Sequence, residues 1–272
     1  MHTKILNDKN CELLKERGIG KDQFREIVEK YSEFSLEETL EIFKAQGLYI
    51  IEKNHRYYYE IFQKKIREVT FCIVDIETNG SKIGTHQIIE IGAVKMHRGK
   101  IIDTFDMLVK CNEISSHITE ITGITVEMTK DALPLCIVIE KFRQFLADDI
   151  FVAHDINFDY NFISASMQKC QMLPMLNRKL CSIQLAERSI VSYRYKLSYL
   201  NDTLDLYRDA THHRALSDAM TTTYLLKHIF NYLPRTMDGV EELLKFSKQA
   251  RRLKRPKFDP VQVEKNRTKA EI

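Results

Sequence analysis

Residues 69–78, VTFCIVDIET, constrain this chain more than any other stretch. Apolar side chains stand at 71, 72, 73 and 74 without alternation, the pattern of a strand covered on both faces. The run then ends in two carboxylates, Asp75 and Glu77. Strand side chains two apart point to the same face, so both acids converge on one spot. Unpaired, each raises the other's pKa. Three arrangements accommodate such a pair: two surface acids, partners for basic side chains, or ligands of a divalent cation. Hard oxygen ligands suit Mg²⁺ or Mn²⁺, and Mg²⁺ takes one or two carboxylates together with substrate phosphate and water.

The elements around this strand define a fold class. QIIEIGAVKM and KIIDTFDMLV, joined by HRG, form a hairpin. A helix is expected from Pro134 to about Asp148, then a strand at IFVAHD. Helical segments follow at 159–170, 180–190, 197–206 and 216–232. Three strands followed by alternating helix and strand imply an α/β domain, residues 69–232, with a mixed sheet flanked by helices.

Residues 1–68 have a different rhythm. NCELLKERG is helical and stops at Gly18. Phe24, Ile27, Val28 and Tyr31 then mark one apolar helix face. Ser35 with Glu38 is a capping-box pair opening a third helix, which Gly47 ends. LYIIE and YYYEI flank KNHR as a hairpin. The expectation is a small winged-helix-like α+β module. Its third helix carries Glu37, Glu38 and Glu41, which phosphates repel, so protein docking or structural support is favoured over DNA binding.

Net charge is 0 over 1–68, −2 over 69–232 and +5 over 233–272. The basic excess therefore lies in the tail. There VEELLKFSKQARRL is helical, RRLKRPK is a basic cluster, and FDPVQVEKNRTKAEI reads as flexible. The tail is either solvated or a contact for a partner or nucleic acid. No apolar run approaches the roughly 18 residues of a membrane span, and MHTKILNDKN lacks a signal-peptide pattern. Cys11, Cys72, Cys111, Cys136, Cys170 and Cys181 include no CxxC pair, so no zinc site is expected. Reduced thiols and a cytoplasmic location are the matching expectation.

Two further motifs join the first. AHDINFD places Asp159 at the start of a helix, and HHRALSDA places Asp218 near the start of the last one, five residues after His213. The order DxET, HxxxFD, HxxxxDA resembles the DEDDh group of 3′–5′ exonucleases, within the RNase H-like fold. Within that group the likeness is to the proofreading epsilon subunit of bacterial DNA polymerase III. It covers about residues 69–232 and includes ITGIT (121–125) and KLSYL (196–200).

The resemblance implies that Asp75, Glu77, Asp159 and Asp218 bind two Mg²⁺ or Mn²⁺ ions and that His213 is the general base. Two metals roughly 3.5–4 Å apart activate water, neutralise phosphoryl charge and assist the leaving oxygen. An imidazole with an ordinary pKa of about 6.5 suits the proton transfer. Thr78, next to Glu77, is a candidate contact for the terminal nucleotide, and the resemblance implies that Ile124 wedges against the last bases. Ordinary packing is the alternative for Ile124. Phe158, beside Asp159, is a substrate-contact candidate with core packing as its alternative.

His154 reads as structural, Gly80 and Gly123 as turns, and Tyr193 and Tyr195 as base-stacking or ordinary tyrosines. Where the second motif usually has Asn, this chain has Asp155. His212 is expected to face solvent. The implied substrate is a single-stranded or frayed primer 3′ end of DNA, and the implied partner a DNA polymerase subunit. RNA 3′-end trimming by the same acids and a non-catalytic scaffold are the competing functions.

Overall fold

In the computed structural model, residues 2–260 are described. The N-terminal unit runs α1 (His2–Ile5), α2 (Asp8–Glu16), β1 (Ile19–Gly20), α3 (Lys21–Tyr31), α4 (Leu36–Ala45), β2 (Ile50–Lys53) and β3 (Arg56–Tyr59). Its antiparallel sheet has the order β1-β3-β2. Phe24, Val28, Phe43 and Tyr59 form its core, with the Phe24 and Tyr57 rings 5.0 Å apart. The capping box is present: Glu38 N–H donates to Ser35 Oγ at 3.2 Å, and Ser35 N–H to Glu38 Oε2 at 2.8 Å. α1 and the two-residue β1 are too short for periodicity to reveal.

This unit is packed on the rest of the chain. Leu176 N–H donates to the Gln46 carbonyl at 2.7 Å, and Gln46 Nε2 to the Pro174 carbonyl at 3.0 Å. The Arg178 guanidinium lies 4.6 Å from the Tyr59 ring centroid and 5.1 Å from that of Phe62. We keep the winged-helix description, and the borders 1–68, 69–232 and 233–272, as proposals.

Two 3₁₀ turns lead into β4 (Thr70–Thr78), β5 (Ile88–His97) and β6 (Lys100–Leu108). Next come α5 (Ser116–Thr122), α6 (Val126–Thr129), α7 (Leu135–Leu146), β7 (Ile150–Ala153), α8 (Ile156–Lys169) and β8 (Lys179–Cys181). The chain ends with α9 (Ser182–Ser189), α10 (Leu197–Leu204), α11 (Ala215–Phe230) and α12 (Val240–Ser247). The sheet order is β6-β5-β4-β7-β8. β4 pairs antiparallel with β5 and parallel with β7, so the sheet is mixed as expected.

β4 divides the hydrophobic core. Cys72, Val74 and Ile76 face α7 and α8 through Val138, Phe142, Phe162 and Ile163. Phe71 and Ile73 face α11 through Leu225, Leu226 and Ile229. Asp75 and Glu77 continue this second face toward the N-terminal end of α11.

Three expectations need correction. The segment 180–190 starts as strand β8, because Lys179–Cys181 extends the sheet beside β7 before α9 begins. Cys136 and Cys170 form a disulfide, with Cα atoms 5.3 Å apart. Cys136 sits in the first turn of α7 and Cys170 just past α8, and packing of these two helices closes a pair that spacing does not reveal.

The third is the tail helix, expected over VEELLKFSKQARRL (240–253) but shorter, with the basic residues after it packed back onto the chain. α12 ends at Ser247, Leu253 N–H donates to the Glu187 carbonyl, and Arg252 and Arg255 pair with the buried Glu187 carboxylate. Tyr199 donates its hydroxyl to Asp259 at 2.8 Å. The remaining part of the segment expected to be flexible, 261–272, lies outside the described residues. No helix among the described residues is long and apolar enough to cross a membrane.

Candidate active site

The three motifs meet in one open cleft of about 370 Å³, lined by Asp75, Glu77, Asp159, Asp218, His213 and Phe158, with His154, Asp155 and Lys196 around them. β4 supplies the first pair at its C-terminal end. Asp159 comes from the first turn of α8, which follows β7, and Asp218 from the first turn of α11. The ends of parallel strands and the helix starts that follow them are where open α/β sheets present such groups.

These acids are poorly compensated. Burial first, then Asp159, Asp218 and Glu77, pushes the Asp75 carboxyl well above its ordinary range. Burial first, then Asp218 and Glu90, pushes Glu77 up to about 8. Asp159 is only 4% exposed, and burial pushes it to about 8 although its own and the Ile76 N–H groups pull the other way. Asp155, exposed at the start of α8, raises it further and so adds a carboxylate to the cleft.

Asp218 Oδ2 accepts from the His213 N–H at 3.0 Å, while its buried Oδ1 has no hydrogen bond. Ligand atoms of Glu77, His213 and Asp218 lie within 4.8 Å of one another. Converging carboxylates, one with an orphaned oxygen, fit hard divalent cations.

His213 is exposed and has a left-handed backbone, φ 62°, which turns the chain sharply before α11. His212 is exposed, as expected, with its Nδ1 3.6 Å from Asp218 Oδ1, too long for a hydrogen bond. His154 is structural, as expected. Nε2 donates to the Tyr195 carbonyl at 2.8 Å, and Nδ1 accepts from Ser182 Oγ at 2.8 Å. Burial lowers its pKa to about 4, so the ring stays neutral in that tautomer.

The three substrate-contact candidates separate. Phe158 lines the cleft and also packs on Phe162, with ring centroids 5.1 Å apart. Thr78 is buried at a β-bulge opposite Ile88 and does not line the cleft. Ile124 is 0% exposed and packs in a small cluster with Ile89 and Cys111. Tyr195 is likewise core, its hydroxyl bonded to the Ile190 carbonyl.

Two supporting residues escaped the sequence reading. Glu90, 1% exposed on β5 and paired with Glu77, accepts from Arg214 Nη2 at 2.6 Å and from the Ala215 N–H at 2.8 Å. Gly92, opposite Asp75, leaves no room for a side chain: a Cβ there would lie 2.1 Å from the Ala215 backbone. Together they seat the first turn of α11 against β5 and thereby place Asp218. The available signal was a charge and a glycine inside the apolar strand IIEIGAV.

Comparison with known proteins gives a consistent picture. Residues 72–226 match the model of the RNase T family, described as Exonuclease. The chain is 35% identical over 182 residues, 66% of its length, to the DNA polymerase III PolC-type of Thermotoga maritima. It is 39% identical over 157 residues, 57% of its length, to the same-named protein of Caldanaerobacter subterraneus. It spans only 13% and 11% of those two relatives.

Among solved structures, Exonuclease X in complex with 5′ overhanging duplex DNA matches at 28% identity and TM-score 0.52, covering 65% of this chain and 99% of that one. Escherichia coli exonuclease I, in a complex with single-stranded DNA, shares the fold at TM-score 0.57 and 15% identity, over 62% of this chain and 42% of that one.

Proposed function

The chain belongs to this exonuclease family, and from that premise we propose that it removes nucleotides from the 3′ end of DNA using two Mg²⁺ or Mn²⁺ ions, proofreading for a polymerase of the DNA polymerase III kind. One observation carries the reading: Asp75, Glu77, Asp159, Asp218 and His213 meet in a single open cleft without enough positive charge to balance them.

When bound, the two cations neutralise phosphoryl charge, lower the pKa of water and assist the leaving oxygen. Asp75, Glu77, Asp159 and Asp218 would hold these ions, with Asp75, Glu77 and Asp218 serving the side of the attacking water and Asp159 the side of the leaving oxygen. His213, exposed at the cleft and tied through its N–H to Asp218, takes the proton of the attacking water. Lys196 on the cleft wall is placed to offset substrate phosphate charge, and Phe158 borders the terminal nucleotide. The products are a nucleoside 5′-monophosphate and a strand shortened by one nucleotide.

Its relatives are named as polymerases, and each contains the matching region within a much longer chain. An exonuclease held beside a polymerase works at high effective concentration on the primer end without tight DNA binding of its own. The net charge of −2 over residues 69–232 suits that arrangement.

The test is digestion of 5′-labelled single-stranded DNA and RNA oligomers with Mg²⁺ or chelator, beside Asp75→Ala. A metal-dependent ladder shortening DNA from its 3′ end, absent in the variant, is expected. Faster loss of RNA transfers the assignment to RNA 3′-end trimming. No digestion of either removes the catalytic reading for the isolated chain.

A further inference from the structure

A second concave surface lies at the opposite end of β4 and α11 from the acids. It is a groove of about 370 Å³ that includes Phe71, near the start of β4, and Phe230, at the end of α11. The helix carries Asp218 in its first turn, and the dozen residues from there to Phe230 rise about 18 Å. A molecule seated in the groove therefore leaves the cleft open.

The groove has a distinct chemistry. Ile66, Phe230, Leu233 and Met237 are half-buried, each covered on one side by the core and open on the other. Arg67, Arg98 and Arg235 stand exposed around this apolar floor. Among the described residues Asp238 is the one acid lining it, and its carboxylate is bonded to Lys65 at 2.6 Å. The rim thus keeps an excess of positive charge, fixed in sign because guanidinium does not deprotonate.

Apolar floor and cationic rim together complement an acidic segment carrying apolar anchors. Nucleic acid fits less well. Base stacking needs open aromatic faces, but Phe71 is 2% exposed and packs edge-on against Phe230 at 5.5 Å. The chain's own residues 261–272 do not supply the charge, since Lys265, Arg267 and Lys269 outnumber Glu264 and Glu271.

We propose that this groove docks an acidic peptide segment with apolar anchor residues, presented by a partner protein that holds the nuclease from the pole opposite its cleft. The idea rests on the proofreading reading in one respect, the need for a tether; the groove's chemistry stands by itself.

The test uses the full chain and fluorescence anisotropy of a labelled peptide, Glu-Glu-Leu-Phe-Glu-Asp-Leu-Phe. The controls are the same peptide with Lys at every acidic position and a labelled oligothymidylate of equal length. Saturable binding of the acidic peptide is expected, weakening as salt rises from about 50 to about 300 mM. The double variant Arg67→Glu/Arg235→Glu should lose roughly ten-fold or more in affinity. Both positions are exposed, so the variant should fold, and its exonuclease activity on single-stranded DNA should match the parent's.

Four results would each overturn the proposal: no saturable binding up to about 1 mM protein, equal binding of the Lys peptide, unchanged affinity in the double variant, or oligothymidylate binding that the same variant abolishes. Peptide binding by protein that degrades no DNA supports the groove and counts against the exonuclease reading alone.

Discussion

Glu77→Gln separates electrostatic repulsion from ordinary packing at the cleft. The carboxyl of Glu77 is pushed from its ordinary 4.5 to about 8, by burial and then by Asp218, Glu90 and Asp159. Its folded-state pKa is thus above its unfolded one, and the folded state holds an extra proton between the two values. Stability of the metal-free protein therefore falls as pH rises from about 4.5 to about 8. At about 1.4 kcal/mol per tenfold change in proton affinity, the full effect is roughly 4–5 kcal/mol at pH 8. Glu77 keeps some contact with solvent and shares its repulsion with other acids, so about 3 kcal/mol is the working figure.

Glutamine keeps the shape and removes the charge. In chelator at pH 8, Glu77→Gln should raise the thermal midpoint by roughly 5–10 °C, with little change at pH 5. Adding about 10 mM Mg²⁺ should stabilise the parent more than the variant and narrow the gap. Thermal melting followed by circular dichroism reads all three conditions. A variant that is equally or less stable than the parent at pH 8 in chelator refutes the argument that these acids repel one another and await cations.

Three further outcomes follow from the same geometry. His213→Ala should lower the exonuclease rate by about 10²–10⁴ with substrate affinity largely kept; a pH–rate profile identical to the parent's removes His213 as the base. Because Glu77 and Asp159 hold protons up to about pH 8 in the absence of metal, Mn²⁺ binding should release protons near pH 7 and weaken as pH falls, seen by calorimetry in buffers of different ionisation enthalpy. Gly92→Ala places a methyl group 2.1 Å from the Ala215 backbone, so it should cost roughly 3 kcal/mol or more and lower activity by displacing Asp218; a parent-like melting curve would falsify the close-approach argument.

Much of the fold was legible because burial writes itself into local pattern. The unbroken run at 71–74 announced a strand covered on both faces, and α3 and α4 showed their apolar faces and cap. The acids were legible for a related reason: carboxylates at the ends of apolar elements have no packing role to explain them. Short segments such as β1 and β8 stayed hidden, since two or three residues carry no period and their pairing partners are distant.

The sequence by itself determined which acids are available, the mixed α/β order, and the alternation on β4 that turns Asp75 and Glu77 to one face. Only the tertiary structure decided what those residues meet. Glu90 and Gly92 matter because β5 lies under the first turn of α11, Ile124 is buried because its loop packs on Ile89, and Arg252 and Arg255 are anchored because the chain returns to Glu187. Each depends on a contact between residues far apart in the chain, and such contacts are selected by packing and charge balance across the whole molecule rather than by neighbours in sequence.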